Sequence, residues 1–311
     1  MPAAFRFGVS ARDGPGREGS GRNGWRATAR RAEAAGFDTL LMADHLADGM
    51  LTPLTALAVA AEATTRIRVG TLVLNNDFRH PVVLAREVAT LDVLTEGRVE
   101  LGLGAGHMKH EYDQVGLAFD PPSVRVARMS ESADIMRRLW AGGDVSFAGE
   151  HYRVDGHRCF PTPVQRPIPL LIGGNGRRVL TAAARLADIV GFTGFSQVEG
   201  ERGVNPSHFT ADGLAAQVGW VRSAAGDRFD RLELSVLVQA VTLTDDRRAA
   251  AEEVRIDPLT VDDILGSPYI LIGTVRQVAE QLEERRAALG ISYITVFEKD
   301  LEAMAQVMEQ L

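Results

Sequence analysis

Lysine is nearly absent from this chain. Only Lys109 and Lys299 occur, against 32 arginines. That bias reads as arginine-rich coding of a GC-rich bacterial genome and carries no functional signal. Cysteine is scarcer still. The lone Cys159 excludes an intrachain disulfide and any multi-cysteine metal site, and beside Phe160 and Pro161 it reads as structural. Positive charge is not in excess either. A net charge of −7 argues against a nucleic-acid partner, which would want a basic face. No apolar run approaches the ~18–20 residues that a membrane helix needs. Residues 1–10 lack a basic segment followed by an apolar one, so a signal peptide is not expected and a cytoplasmic protein is. What remains is ordinary globular composition, 45% apolar and 24% charged over 311 residues, enough for one large barrel with insertions.

One local pattern recurs. A helical stretch ends at a glycine and a short apolar strand follows at once, as in Gly36 then Phe37–Met42, Gly97 then Arg98–Leu103, and Gly290 then Ile291–Phe297. The last unit is the clearest. Thr274 and Gln277 have capping-box spacing, and Val275, Val278, Leu282 and Leu289 share one helical face. Eight strands are expected: Phe5–Ser10, Asp38–Met42, Ile67–Leu74, Val99–Gly104, Pro169–Gly173, Asp188–Phe192, Leu234–Leu243 and Tyr293–Phe297. Their nearly continuous apolar character suits parallel strands buried on both faces. Eight strands alternating with helices predict an α/β fold, a (β/α)8 TIM barrel spanning 1–311 as one domain. Two stretches break the repeat. Residues 141–167 suggest an excursion in which Val145–Phe147 and His151–Val154 pair as a hairpin about Gly149-Glu150. Residues 193–213, rich in glycine and polar residues, suggest a lid loop.

Barrel enzymes carry their chemistry just past the C-terminal ends of the strands. After strand 2 stand Asp44 and His45, an acid and an imidazole suited to orienting a substrate oxygen and moving a proton. After strand 3, Asn75, Asn76, Arg79 and His80 supply donors before Pro81 opens a helix. After strand 4 comes Gly102-Leu103-Gly104-Ala105-Gly106-His107-Met108-Lys109-His110-Glu111. The glycine spacing is wrong for a dinucleotide fingerprint, and bare backbone here would let a flat ring lie close. His107, His110 and Glu111 resemble a metal cluster, but helical HExxH order is missing, so no metal is expected. After strand 5, Gly173-Gly174-Asn175-Gly176-Arg177-Arg178 opens a helix, an arrangement that suits an anion.

Taken in order, these motifs resemble the luciferase-like monooxygenase superfamily, and within it the branch that uses the deazaflavin coenzyme F420. The carriers are Phe5–Val9, Gly36–His45, Arg98–Gly106 with Glu111, Phe147–Tyr152, Pro169–Gly176 and Gly273–Val278. The resemblance implies a flavin-type ring at the C-terminal rim and a homodimer. It implies a cis peptide at Leu72–Val73 behind the ring, with Leu72, Val73, Asn75, Gly104, Ala105 and Gly106 around it. It also implies a phosphate against Gly173, Gly174, Asn175, Gly176 and Arg177. Two positions depart from the sugar-phosphate dehydrogenases of that branch: His107 stands where they have an acid, and His110 where they have Asn. The tryptophan that follows their Asp-His pair is not evident here.

The expectation is therefore an F420-dependent oxidoreductase moving a hydride between the deazaflavin C5 and a small organic substrate. His45, His107 and Asp44 are the candidate catalytic residues, with His110 and Arg79 facing substrate. The alternatives are an FMN-dependent monooxygenase using O2, a metal-dependent barrel hydrolase, and a flavin-binding protein without turnover.

Overall fold

The computed structural model describes residues 4–11, 21–46, 50–194, 205–254 and 256–311. Eight parallel strands form a closed barrel: β1 (Arg6–Ser10), β2 (Thr39–Met42), β3 in two pieces (Arg68–Thr71 and Leu74–Asn75), β4 (Val99–Gly104), β5 (Leu170–Gly173), β6 (Ile189–Phe192), β7 (Glu233–Leu237) and β8 (Ile291–Phe297). Each strand pairs with its neighbours in sequence. The ring shuts where β1 meets β8, with Val9 opposite Val296, and it continues through β3 and β4, with Val69 opposite Val99. The helix of the last unit runs from Val275 to Leu289. Its capping box is formed by Thr274 and Gln277, and Gly290 closes it with φ +77°, a conformation that a side chain would strain.

The residues of β2, β4, β5 and β6 are buried throughout, because one face looks into the barrel and the other onto the helices. Alternation sorts them. Val9, Leu40, Val69, Leu101, Leu170 and Val190 join the helices in one large outer core. Leu41, Leu72, Leu171, Ile189 and Tyr293 form a separate inner cluster. Burying each Leu-sized side chain contributes roughly 1.5–3 kcal/mol before the entropy of ordering is set against it.

The floor of the barrel is ionic. Arg6, at the start of β1, donates to Glu100 Oε2 at 2.6 Å, Glu233 Oε2 at 2.5 Å and Thr39 Oγ1 at 3.2 Å, and its guanidinium lies 4.2 Å from the centre of the Tyr293 ring. Tyr293 Oη donates to Glu100 Oε1 at 3.1 Å. Burial, only partly offset by Arg6, pushes the Glu233 carboxyl above its usual value.

Two expectations need correction. The seventh strand does not run unbroken from 234 to 243. At Val238 and Gln239 the backbone turns away, donating to Thr295 O and then to Tyr269 O, and Ala240–Leu243 pairs instead with Ile270–Gly273, a strand the sequence reading missed. The hairpin of the first insertion is present, but its arms are Val145–Ala148 and Arg153–His157, with Phe147 opposite Val154. Its turn is wider than Gly149-Glu150 because Glu131 accepts hydrogen bonds from the backbone N–H groups of Glu150, His151 and Tyr152. Of the expected lid at 193–213, residues 195–204 lie outside the described residues. Its later part is a turn at Pro206–Phe209 with Phe209 buried, followed by the helix Ala211–Ala225.

The ionic floor generates one prediction. Arg6→Met leaves Glu100, whose side chain is 1% exposed, without its cation. Breaking such a pair costs about 3–5 kcal/mol. Denaturant unfolding should show that loss, with catalysis at the opposite face little changed; a loss below ~1 kcal/mol would show that the network does not seal the base.

Candidate active site

The opposite face, at the C-terminal strand ends, brings together residues from β2, β3, β4 and β5. Its shape begins with β3. After Thr71 the chain bulges through Leu72 and Val73, joined by a cis peptide bond, before pairing resumes at Leu74 with Leu103. The bulge drives Val73 across the mouth of the barrel. A Cβ on Gly104 would lie 2.6 Å from Val73 Cγ2 and one on Gly173 3.3 Å from Val73 Cγ1, while one on Gly102 would run into the Thr71 carbonyl oxygen, with Val73 Cγ1 at 3.1 Å. The first purpose of these glycines is thus internal. They let Val73 settle over bare backbone of β4 and β5, and Val73 itself, half-buried, becomes the apolar floor of the mouth.

The Asp-His pair is divided between two partners. Asp44, buried, accepts from Arg79 Nη1 at 2.5 Å and Nη2 at 3.2 Å, and from the backbone N–H of Asn75 at 3.1 Å. Its two oxygens meet the two ends of one guanidinium, a strong bidentate geometry that clamps the β2 and β3 loops together. Arg79 is thereby committed to Asp44. His45 Nδ1 instead lies 3.0 Å from Glu111 Oε1, and the same oxygen accepts from Leu46 N–H at 3.2 Å. Glu111 is 3% exposed, in the helix Lys109–Val115 that follows β4.

His107 completes this wall. Its ring stands edge-on to His45, with 5.5 Å between centres and 82° between planes. It is exposed at the rim, yet the protein atoms around it, and after them the neighbouring His45, push its imidazole below the ordinary value. That direction favours the neutral ring, which can both donate and accept. His110, exposed on the same helix, is close enough to act electrostatically on His107. Ala105 O and Gly106 O both accept from Arg125, which stacks 3.9 Å from the centre of the Phe119 ring. Gly106 has φ +73°, and a Cβ there would run into Tyr112 Oη. That hydroxyl lies 3.0 Å from both Asn75 Oδ1 and Asp77 Oδ2 and shares its one proton between them, so the buried Asn75 braces the loop through its side-chain oxygen.

The β5 loop lies beside the mouth. Asn175 is buried, with its Oδ1 accepting from Thr193 and Gly194 and its backbone oxygen from Gln217. The space where Gly174 would carry a Cβ holds Val179. Gly176 differs: it caps the ten-residue helix Arg177–Leu186 without a side-chain cap, open space surrounds it, and Arg177 and Arg178 are exposed next to it. Uncapped N–H groups with two guanidinium groups alongside suit an anion.

The sequence reading did not assign Glu111 to the catalytic list, although its spacing of four from His107 placed it within reach. The brace of Tyr112 and Asp77, with Arg128 Nη1 at 3.3 Å from Asp77 Oδ1, leaves no local signal, since its members come from separate units. Among the described residues no group of three or more His, Cys, Asp or Glu is placed to hold a metal ion, and no helix is long and apolar enough to cross a membrane.

Residues 5–260 match the family described as luciferase-like monooxygenase. An F420-dependent glucose-6-phosphate dehydrogenase of Nakamurella multipartita is 34% identical over 261 residues, covering 82% of this chain and 72% of that one. Its counterpart from Amycolatopsis mediterranei is 35% identical over 165 residues, 51% of this chain, and the match spans about half of that relative, 49%. Among solved structures, the coenzyme F420-dependent tetrahydromethanopterin reductase of Methanopyrus kandleri superposes with TM-score 0.76 at 19% identity, covering 99% of both chains. At that identity the likeness speaks to the fold.

The seating of Val73 predicts a compensating pair. Gly104→Ala should destabilise the protein by about 1–3 kcal/mol through overpacking. Val73→Ala should cost less in that background than in the wild type, because it removes the atoms that clash. Thermal unfolding of the four members of the cycle tests this; strictly additive losses would mean that Val73 does not occupy the space above Gly104.

Proposed function

We propose, for a chain that belongs to the luciferase-like monooxygenase family, that it is an F420-dependent oxidoreductase acting on a small organic substrate. The observation that carries this reading is the F420-dependent relative that is 34% identical over 82% of this chain. The residues present fit such a cofactor. Leu72 and Val73 offer an apolar bed for a flat ring, with Gly104, Ala105 and Gly106 along its edge. Gly173, Gly174 and Asn175 shape a loop that ends in the uncapped helix start at Gly176, where backbone N–H groups and Arg177 suit a phosphate. When bound, the deazaflavin supplies hydride chemistry at its ring carbon C5.

The protein's own part is proton handling and orientation. His45 is the proton-transferring residue, with its Nδ1 taken by Glu111 and Nε2 left for substrate. His107, kept neutral, hydrogen-bonds the substrate oxygen, with His110 at the outer rim. Asp44 acts through Arg79 by fixing the loop from which His45 projects. The substrate is a small organic molecule with an exchangeable proton, such as an alcohol or its carbonyl product. A homodimer and a cytoplasmic location belong to the same reading.

Two measurements test it. Spectroscopic titration should show F420 binding at least tenfold tighter than FMN, a difference of about 1.4 kcal/mol, with Arg177→Ala weakening F420 by about tenfold through one lost charge-assisted bond. Equal or tighter FMN binding would favour a flavin monooxygenase. Once a substrate is known, His45→Ala should lower kcat by at least ~10²-fold with cofactor affinity nearly unchanged, and His107→Ala by less. Near wild-type turnover of His45→Ala would remove His45 from the chemistry.

A further inference from the structure

We infer that Glu111 is the positioning residue for His45: its buried carboxylate holds the imidazole in the tautomer that leaves Nε2 to exchange a proton with the substrate. The kinetic part of this inference rests on the oxidoreductase reading above; the structural part does not.

The argument begins from burial. A carboxylate that is 3% exposed must be matched by donors, or it would carry a large desolvation cost. Glu111 Oε1 meets two, the Leu46 N–H at 3.2 Å and His45 Nδ1 at 3.0 Å. An ionised carboxylate only accepts, so Nδ1 must be the protonated nitrogen of a neutral His45 ring. In the neutral ring Nε2 then carries the lone pair, which makes it the base. When a proton arrives there, the imidazolium formed stands directly against the Glu111 charge. A free imidazole has no such instruction, and the carboxylate behind it sets both tautomer and orientation.

The other groups facing His45 do not duplicate this role. Asp44, its neighbour in sequence, is engaged by Arg79 and by the Asn75 N–H. His107 stands edge-on to the ring and is the group whose protonation the site disfavours. Glu111 is also rigidly mounted. The next residue, Tyr112, ties its helix to Asn75 and Asp77, and Gly106 makes room for that hydroxyl. The carboxylate therefore cannot drift from His45 without breaking a buried network.

The test has an arm that needs no cofactor. Nitrogen-15 NMR of the histidine rings, with the His45 signal assigned by its absence in His45→Asn, reads the tautomer in alkaline solution, where a free imidazole is neutral. The wild type should show His45 protonated at Nδ1, and Glu111→Leu should shift the population toward Nε2–H. A wild-type His45 protonated at Nε2 would overturn the inference, as would a signal that Glu111→Leu leaves unchanged. The second arm is kinetic and uses the F420-loaded enzyme. Glu111→Gln keeps an oxygen for the Leu46 N–H but loses the charge, so kcat should fall about 10²-fold with KM changed less than ~3-fold. In a His45→Ala background the same substitution should add less than ~3-fold, since the residue acts through His45. A full additional 10²-fold loss there would assign Glu111 a merely structural role. If F420 does not bind, the oxidoreductase reading fails while the NMR arm still decides the inference.

Discussion

Steric room at two glycines sets the geometry of the barrel mouth. Gly102 and Gly104 leave bare backbone on the inner side of β4, and β3 fills that space with the Thr71 carbonyl against Gly102 and Val73 against Gly104. A methyl group at Gly104 would push Val73 outward, and one at Gly102 would collide with the Thr71 carbonyl where the bulge begins. The bulge in turn fixes where Leu74 and Asn75 re-enter the sheet, and Asn75 supplies the backbone N–H that Asp44 accepts and the side-chain oxygen that Tyr112 reaches. A packing constraint at the core of the mouth is thus passed outward to the polar residues around it, because close-packed interiors transmit displacement rather than absorb it.

Around that floor each buried carboxylate is assigned to a donor. Asp44 takes Arg79 and Glu111 takes His45. At the opposite face Glu100 takes Arg6. The pairings separate roles. The base of the barrel uses ions to close a hole, where their net contribution is conformational and their removal is costly. The rim uses one of them, Glu111, to back His45, beside a His107 whose imidazole burial pushes below its ordinary value.

Much of this was legible in the chain. The helix–glycine–strand grammar marks the barrel strands, because parallel strands must be buried on both faces and their helices must stop abruptly. It could not show that Leu234–Leu243 divides, since Val238 and Gln239 look no different from their neighbours; the break is made by Thr295 and Tyr269 from elsewhere in the chain. At the site, residues adjacent in sequence were read as working together. Asp44 and His45 in fact point to different partners, 35 and 66 residues away. The glycines at the end of β4 were read as a bed for a flat ring; the groups that approach them in the structure are the protein's own, the Thr71 carbonyl at Gly102, Val73 at Gly104 and Tyr112 at Gly106. Long-range pairing of this kind leaves no spacing pattern to detect.

We propose that the deazaflavin reacts at the mouth floored by Val73 and walled by His45 and His107. A crystal structure of the protein with F420 tests it most directly. The ring should lie against Leu72 and Val73, within reach of His45, with a phosphate at the Gly176–Arg177 helix start. A ring bound away from Val73, or a phosphate held elsewhere with Gly176 left open, would contradict it.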